Sequence, residues 1–169
     1  MNIFSEKKYL FNYDVSLIKK ELSNVIDQDW QFNTFRQKLR GHSETESIVF
    51  IFGGVEHKVS TQVAFNKTVF DAAEEIKKYY GNNAKIVSLM VTKLFAKKQI
   101  PEHIDGGNLS QIHRCHLPII THKDCEFYIN KKKFFFEEGN VFEINNVAPH
   151  AVVNNSDIDR VHLICDINE

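Results

Sequence analysis

The chain has 169 residues, a length that predicts one domain, residues 1–169, with enough apolar surface to form a substantial core. Its 21 basic and 22 acidic residues give a formal net charge of −1, which argues against nucleic-acid binding because that function depends on excess positive charge. The strongest apolar run, residues 48–52, is too short to cross a membrane and no signal peptide is recognised, so we expect a cytoplasmic protein with no membrane partner.

The first half of the chain combines helical and strand patterns. Apolar residues recur at helical spacing over residues 15–26, with Asp14 as the N-cap. A second helix is predicted over residues 69–80, and Gly81 predicts its end. Between the two helices, residues 47–53 predict a strand.

From residue 85 onward, nearly every apolar segment has strand composition and is bounded by turn residues. Helices followed by six or seven strands predict a mainly β fold with flanking helices, a double-stranded β-helix of the jelly-roll, cupin-like type. We expect residues 85–169 to form the jelly-roll core and residues 1–84 to brace one outer face. Three lysines at residues 131–133 lie between aromatic segments and predict an exposed hairpin turn rather than a binding patch.

Three short His-x-acid motifs occur in the chain, and each could supply two ligands to a metal ion. The motifs at residues 42–44 and 122–124 lie in segments with the composition of polar loops. The third, His103-Ile-Asp105, follows a strand-like segment and precedes the glycine pair at residues 106–107, where the chain can turn freely. Since residues two apart in an extended chain point to the same side, we expect His103 and Asp105 to bind one ion.

A third ligand is predicted at His150, in the strand-like segment of residues 148–153. Two imidazoles and one carboxylate are the ligand set of non-haem Fe(II) oxygenases, and they leave open positions for a co-substrate and O2. Iron is therefore our first hypothesis for the metal.

Arg160 follows His150 by ten residues, with turn composition between them. A hairpin centred on Asn155 would place Arg160 directly across from His150, at about 5 Å on the same face. A guanidinium at that distance from the metal suits the distal carboxylate of 2-oxoglutarate, whose other end chelates iron. The alternative is an exposed arginine paired with Asp157 or Asp159.

Arg114 and His116 are predicted to project together from one strand. Residues 111–119 alternate with period two, which places both side chains on one face. Burying an unpaired charge is costly, so the pair either faces solvent or meets an anion in a cleft. We favour a carboxylate of co-substrate or substrate. His162 shares the face of Arg160, as a supporting contact or as a core histidine.

An ordered set of segments between Thr92 and Asp166 resembles the aspartyl/asparaginyl β-hydroxylase family of 2-oxoglutarate oxygenases. The chain retains the carboxylate ligand and is similar to the members with a complete triad, which include small-molecule proline hydroxylases. Besides Cys125, the matching segments are residues 100–105, 114–118, 138–145, 150–154 and 160–166.

The resemblance implies a dioxygenase that uses Fe(II), 2-oxoglutarate and O2 to hydroxylate a C–H bond of an amino acid, a peptide side chain or a small metabolite, with release of succinate and CO2. Two alternatives remain open: a cupin-like metalloenzyme that does not use 2-oxoglutarate, and a non-enzymatic binding domain. By resemblance, Fe(II) is held by His103, Asp105 and His150, the distal carboxylate of 2-oxoglutarate by Arg160 with help from Thr92, and further carboxylate contacts come from Arg114 and His116.

Overall fold

A computed structural model describes residues 5–38 and 41–169 of the chain. Outside the described residues lie residues 1–4 and 39–40. The prediction about a signal peptide concerns a stretch that includes residues 1–4. None of the described helices is both long and apolar enough to span a bilayer. The helices are α1 (Ser16–Leu22), α2 (Asp27–Gln31) and α3 (Val63–Tyr80), with short 3-10 helices at Arg36–Lys38 and Gly107–Gln111.

The strands form two sheets in which every pairing between neighbours is antiparallel. In chain order they are β1 (Lys7–Asn12), β2 (Thr45–Phe52), β3 (Val55–Glu56), β4 (Lys85–Leu94), β5 (Gln99–His103), β6 (His113–Ile120), β7 (Cys125–Ile129), β8 (Lys132–Phe134), β9 (Asn140–Ile144), β10 (His150–Asn154) and β11 (Arg160–Asn168).

The larger sheet, called the major sheet, has the strand order β1-β9-β6-β11-β4-β2-β3. The smaller one, called the minor sheet, has the order β5-β10-β7-β8. Strands that follow one another in the chain repeatedly lie in different sheets, as in a double-stranded β-helix. The structure therefore confirms a mainly β jelly-roll, with eight described strands from residue 85 onward instead of the six or seven predicted.

The outer face of the major sheet is covered by α1 and α3. Strand residues such as Leu163 and Ile167 alternate with the inward-facing residues of β11 and pack against α3. Burial of this surface holds the helices on the sheet, because apolar area removed from water contributes about 25 cal/mol per Å². The helix residues buried in this core are Ile18, Leu22, Phe65, Val69, Ala72, Ala73 and Ile76.

A second apolar cluster lies between the two sheets. It includes Phe142 and Ile144 from the major sheet and Phe127 and Val152 from the minor sheet. The polar residues of the candidate site lie on the inner faces of strands from the same two sheets, because side chains alternate between the two faces of a strand. The fold thus directs these polar groups into the barrel interior.

The predicted helices exist, but their bounds differ from the prediction. The first ends at Leu22 instead of residue 26, and Ile26 is extended, as its β-branched side chain favours. The N-cap is Val15 and not the predicted Asp14, which lies one residue before it and accepts a hydrogen bond from the backbone N–H of Ser16. The last helix begins at Val63, six residues earlier than predicted, and ends before Gly81 as predicted.

The predicted pairing of His150 with Arg160 is wrong. His150 lies opposite His103 of β5 in the minor sheet, whereas Arg160 lies opposite Leu94 of β4 in the major sheet. The buried amide of Asn154 donates to the carbonyl oxygen of Leu94 at 3.3 Å and fastens the connection where the chain passes between sheets. Turn composition predicts that the chain reverses, but it does not predict which strand each arm pairs with.

Candidate functional site

Two histidines from neighbouring strands of the minor sheet lie side by side inside the barrel. His103 and His150 are cross-strand partners with ring centroids 4.2 Å apart. Their Nδ1 atoms lie 2.8 Å from the carbonyl oxygen of Pro101 and 2.9 Å from that of Ala148. A carbonyl can only accept, so each Nδ1 carries the hydrogen and each Nε2 keeps a lone pair that can bind a metal.

Asp105 completes a triad with these histidines. Its backbone N–H donates to the carbonyl of Asn146 at 3.0 Å, which fixes the loop after β5. Its Oδ1 lies 3.8 Å from His103 Nε2, and its Oδ2 lies 3.9 Å from His150 Nε2. All three ligand atoms lie within 4.8 Å of one another. The donor set fits Fe(II), because two neutral imidazoles and a carboxylate on one side leave the other positions open.

The two rival His-x-acid motifs do not form a comparable cluster. His122 and Asp124 lie in a turn before β7, with their side chains largely exposed. Within residues 5–38 and 41–169, the triad is the one group of three or more His, Cys, Asp or Glu residues with metal-binding spacing.

Arg114 links the triad to the major sheet. Its Nε and Nη2 donate to the two oxygens of Asp166, both at 2.8 Å, and its Nη1 donates to Asp105. Burial acts to lower the pKa of Arg114, but the two carboxylates outweigh it and raise the pKa. The sequence indicated that Arg114 meets a carboxylate, but the carboxylates in contact belong to the protein.

The sequence did not predict Asp166 as a partner of Arg114. The two residues lie opposite each other on β6 and β11, so the signal was the register between these strands, which the sequence alone does not give. Asp166 is fully buried. A buried carboxylate in a two-pronged pair with a guanidinium fixes the orientation of both groups.

A cavity opens beside the triad and is walled by both sheets. Polar groups gather on the side of the major sheet, and apolar groups come mostly from the minor sheet. Its lining consists of Arg36, His42, Thr45, Thr92, Lys93, Leu94, Ile100, His103, Arg114, His116, Phe127, His150, Val152, Arg160 and Ile164.

Arg160 presents a buried guanidinium to this cavity. The side chain is 3% exposed, and burial lowers its pKa to about 10. Among the described residues its hydrogen-bond partner is a nitrogen, with Nη2 donating to His162 Nδ1 at 2.7 Å, and no carboxylate is paired with it. A buried cation without an anion fits a ligand carboxylate, because the ligand would supply the missing charge.

His116 and Thr92 lie on the same cavity wall. The Nε2 of His116 is buried and has no hydrogen-bond partner among the described residues. The pKa of His116 lies well below its ordinary value because of burial and the nearby Arg160, so the imidazole is neutral. Thr92 makes a long contact of 3.5 Å to the carbonyl of His162. An unpartnered buried nitrogen beside an unpaired guanidinium is consistent with a bound polar ligand.

Two further cavity residues, Arg36 and His42, were not recognised from the sequence. They come from the segment between α2 and β2, whose loop composition carries no periodicity. The ring of His42 lies 5.9 Å from that of His103, so the loop predicted at residues 42–44 exists but also forms part of the cavity wall.

Comparison with known proteins gives a family match over nearly the whole chain. The model of a family described as aspartyl/asparaginyl β-hydroxylase matches residues 12–169. None of the curated proteins matched the chain.

Solved structures share the fold at low identity. An oxidoreductase of the 2OG-Fe(II) oxygenase family from Burkholderia pseudomallei matches with a TM-score of 0.65 and 12% identity, over 96% of this chain and 84% of that one. A prolyl-4-hydroxylase from Pseudomonas putida gives 0.64 and 11%, over 98% and 94%. A viral collagen prolyl hydroxylase from Paramecium Bursaria Chlorella virus-1 gives 0.60 and 10%, over 97% and 96%.

At these identities the structural neighbours support the jelly-roll fold, and the family match carries the biochemical identity. The matched range includes the triad, Arg114 and Arg160. The chain belongs to the aspartyl/asparaginyl β-hydroxylase family and is thus a hydroxylase of the Fe(II)- and 2-oxoglutarate-dependent type.

Proposed function

We propose that the chain hydroxylates a C–H bond of an amino acid, a peptide side chain or a small metabolite, with Fe(II) held by His103, Asp105 and His150 and with 2-oxoglutarate held by Arg160. One observation carries this proposal: a buried guanidinium without a carboxylate partner among the described residues shares a cavity with the triad. 2-Oxoglutarate has one end that chelates a metal and one carboxylate that such a guanidinium can bind.

The triad residues are suited to bind the metal at neutral pH. Burial lowers the pKa of His150, so its imidazole is neutral and its Nε2 can donate a lone pair. Arg114 holds Asp105 in place from the side of the major sheet. When bound, Fe(II) and 2-oxoglutarate supply the oxidation, in which O2 is consumed, 2-oxoglutarate becomes succinate and CO2, and the substrate gains a hydroxyl group.

The co-substrate is proposed to lie against the major sheet. The Arg160 guanidinium would form a two-pronged, charge-assisted pair with the distal carboxylate. The hydroxyl of Thr92 and the free nitrogen of His116 would add polar contacts along its length. Arg114 has its Nε and both Nη atoms engaged by Asp166 and Asp105, so we propose that it positions the metal ligand and leaves the distal carboxylate to Arg160.

The remaining cavity wall is largely apolar. It includes the side chains of Phe127, Leu94, Ile100 and Val152 beside the histidines. Next to apolar side chains, the charge interactions of the guanidiniums and carboxylates are stronger than in water. We further propose that the chain acts as one cytoplasmic domain on a small-molecule or peptide substrate, without nucleic acid, as its near-neutral charge favours.

The direct test measures succinate release with Fe(II), 2-oxoglutarate and ascorbate across panels of amino acids, peptides and small metabolites. We expect succinate only when Fe(II) is present, and more of it with a substrate than without. In Arg160→Gln the 2-oxoglutarate requirement should rise steeply while iron stays bound, and Lys98→Gln is the matched loss of an exposed charge. Turnover without 2-oxoglutarate, or an unaltered co-substrate requirement in Arg160→Gln, would contradict the proposal.

A further inference from the structure

The cavity contains a guanidinium, that of Arg36, which has no role in the proposed reaction. Arg36 is 9% exposed and lines the cavity next to the triad. Among the described residues, its hydrogen-bond partner is the thioether sulfur of Met90, at 2.7 Å from Nη1. A thioether is a weak acceptor and carries no charge, so this contact leaves the buried cation without an anion.

The local structure holds Arg36 in this position. Phe35 packs against Val49, Met90 and Ile164 on the inner face of the major sheet. The packing of Phe35 therefore fixes the backbone position from which the side chain of Arg36 extends into the cavity. Burial of an unpaired charge is unfavourable. A ligand that supplies the counter-charge would remove this cost for the guanidinium of Arg36.

Among the charged side chains that the structure describes around the cavity, the positive charges outnumber the negative ones by one. The guanidiniums of Arg36, Arg114 and Arg160 are balanced in part by the carboxylates of Asp105 and Asp166, which leaves one positive charge in excess. Fe(II) adds two positive charges and 2-oxoglutarate brings two negative ones, so the excess persists when both are bound. A substrate with one negative group would neutralise it.

The lysine of the cavity wall, Lys93, is not available to bind an anion. Lys93 is paired with Glu46 at 2.6 Å. His42, by contrast, has a buried Nδ1 with no hydrogen-bond partner among the described residues and belongs to the same chain segment as Arg36. The two groups offer a place for an anion and a place for a hydrogen bond next to it.

We propose that Arg36 binds a carboxylate of the hydroxylated substrate, which makes the substrate a carboxylic acid. The inference rests on the proposed function, because it assigns 2-oxoglutarate to Arg160 and leaves Arg36 for the second ligand. The carboxylate is that of a small acid or that of an acidic side chain in a peptide. The depth of Arg36 in the cavity favours the small acid.

Binding can be tested without turnover, with Mn(II) in place of Fe(II) and with saturating 2-oxoglutarate. One set of probes pairs the common amino acids with their carboxamides, and a second set pairs end-blocked peptides containing Asp or Glu with their Asn or Gln counterparts. We expect acids to bind about 10- to 100-fold more tightly than the matched amides, because hydrogen bonds to charged groups have this size of effect. The probe set that shows the preference identifies the source of the carboxylate.

The variants assign the preference to one arginine. Arg36→Gln should remove the preference for acids, and Lys98→Gln, which removes an exposed charge, should retain it. Arg160→Gln should weaken 2-oxoglutarate binding and keep the preference at saturating co-substrate. The proposal is overturned by an unchanged preference in Arg36→Gln, by equal binding of acids and amides in both sets of the wild-type protein, or by a loss of 2-oxoglutarate affinity in Arg36→Gln as large as that in Arg160→Gln.

Succinate release with Fe(II) separates the two proposals. If Arg36-dependent binding of acids is found but no succinate forms with any substrate, the proposed function fails and the carboxylate site stands. If succinate forms and the preference for acids is absent, the carboxylate site fails alone.

Discussion

Arg114 joins two carboxylates that have different roles in the site. Asp105 faces the histidines as a candidate metal ligand, whereas Asp166 lies behind the guanidinium and is fully buried. A guanidinium held by two oxygens of one carboxylate has a fixed plane, so its third contact has a fixed direction. Asp166 therefore acts on the metal site through Arg114 without touching it.

Asp166→Asn tests this chain of contacts. The substitution keeps the shape of the side chain but removes the charge that fixes Arg114, so Asp105 should be oriented less well. We expect metal affinity to fall about 10- to 100-fold, as is usual when a partner of a metal ligand is altered. A calorimetric Mn(II) titration measures the change, with Asp124→Asn as the exposed control. Equal affinities for Asp166→Asn and the wild-type protein would show that Arg114 needs no second carboxylate.

The sequence predicted the residue types of the site better than their partners. Spacing and the glycine pair that follows selected His103 and Asp105 from three similar motifs, and the two residues do lie together with His150. The partner of Arg114 and the presence of Arg36 in the cavity depend on strand register and on a loop path. Neither leaves a periodic pattern, so neither could be deduced from one sequence.

At the scale of elements, the turn that leads into β9 depends on a glycine. Gly139 has φ of +77°, and a Cβ added there would lie 2.9 Å from the carbonyl oxygen of Tyr13. The N–H of Tyr13 donates to the carbonyl of Gly139 at 2.8 Å, so the two backbones are held close together. This contact aligns the ends of β1 and β9, which are paired in the major sheet.

Gly139→Ala should destabilise the fold through both backbone strain and steric overlap. We expect the free energy of unfolding to fall by about 2–4 kcal/mol, measured by urea denaturation. Gly53→Ala is the matched control, because Gly53 also has a positive φ, of +61°, but has no atom within 4 Å of the added Cβ. Its loss should be about 1–2 kcal/mol, from backbone strain alone. A loss as large as that of Gly139→Ala would mean that the contact with Tyr13 is unimportant.

Strand composition predicted most elements, but not how they associate. Strand structure begins at Lys85, where strand composition begins in the sequence, and Arg114 and His116 share the inner face of β6 as their alternation indicated. The error at His150 and Arg160 arose because two strands joined by a short turn usually pair with each other. In a jelly-roll the chain crosses between sheets at this point, so the pairing depends on the whole fold.

The fold as a whole buries histidines that must remain neutral. His116 and His162 have pKa values well below the ordinary 6.5, through burial and the nearby Arg160. The unfolded chain therefore binds protons at these positions before the folded protein does. Stability should be constant above about pH 7 and should fall as pH drops below 6.5, by about 1.4 kcal/mol per pH unit for each histidine that is protonated only on unfolding.

This dependence can be measured by urea denaturation of the metal-free protein between about pH 4.5 and about pH 8. That range extends about two units below and about one and a half units above the ordinary histidine pKa. His162→Gln should reduce the slope below pH 6.5, because the proton that His162 gains on unfolding is no longer taken up. His122→Gln is the matched control at an exposed histidine. Equal slopes for His162→Gln and the wild-type protein would mean that His162 is not held neutral.

Metal binding should also act on the whole molecule, because the triad connects both sheets. His103 and His150 belong to the minor sheet, and Asp105 is tied through Arg114 to the major sheet. These groups converge only in the folded state, so at 100 times its dissociation constant Mn(II) should stabilise the protein by about 2.7 kcal/mol and raise Tm by about 5–10 °C. Differential scanning calorimetry measures the shift, which His150→Ala should abolish and His122→Ala should retain. A shift that persists in His150→Ala would mean that the ion binds elsewhere.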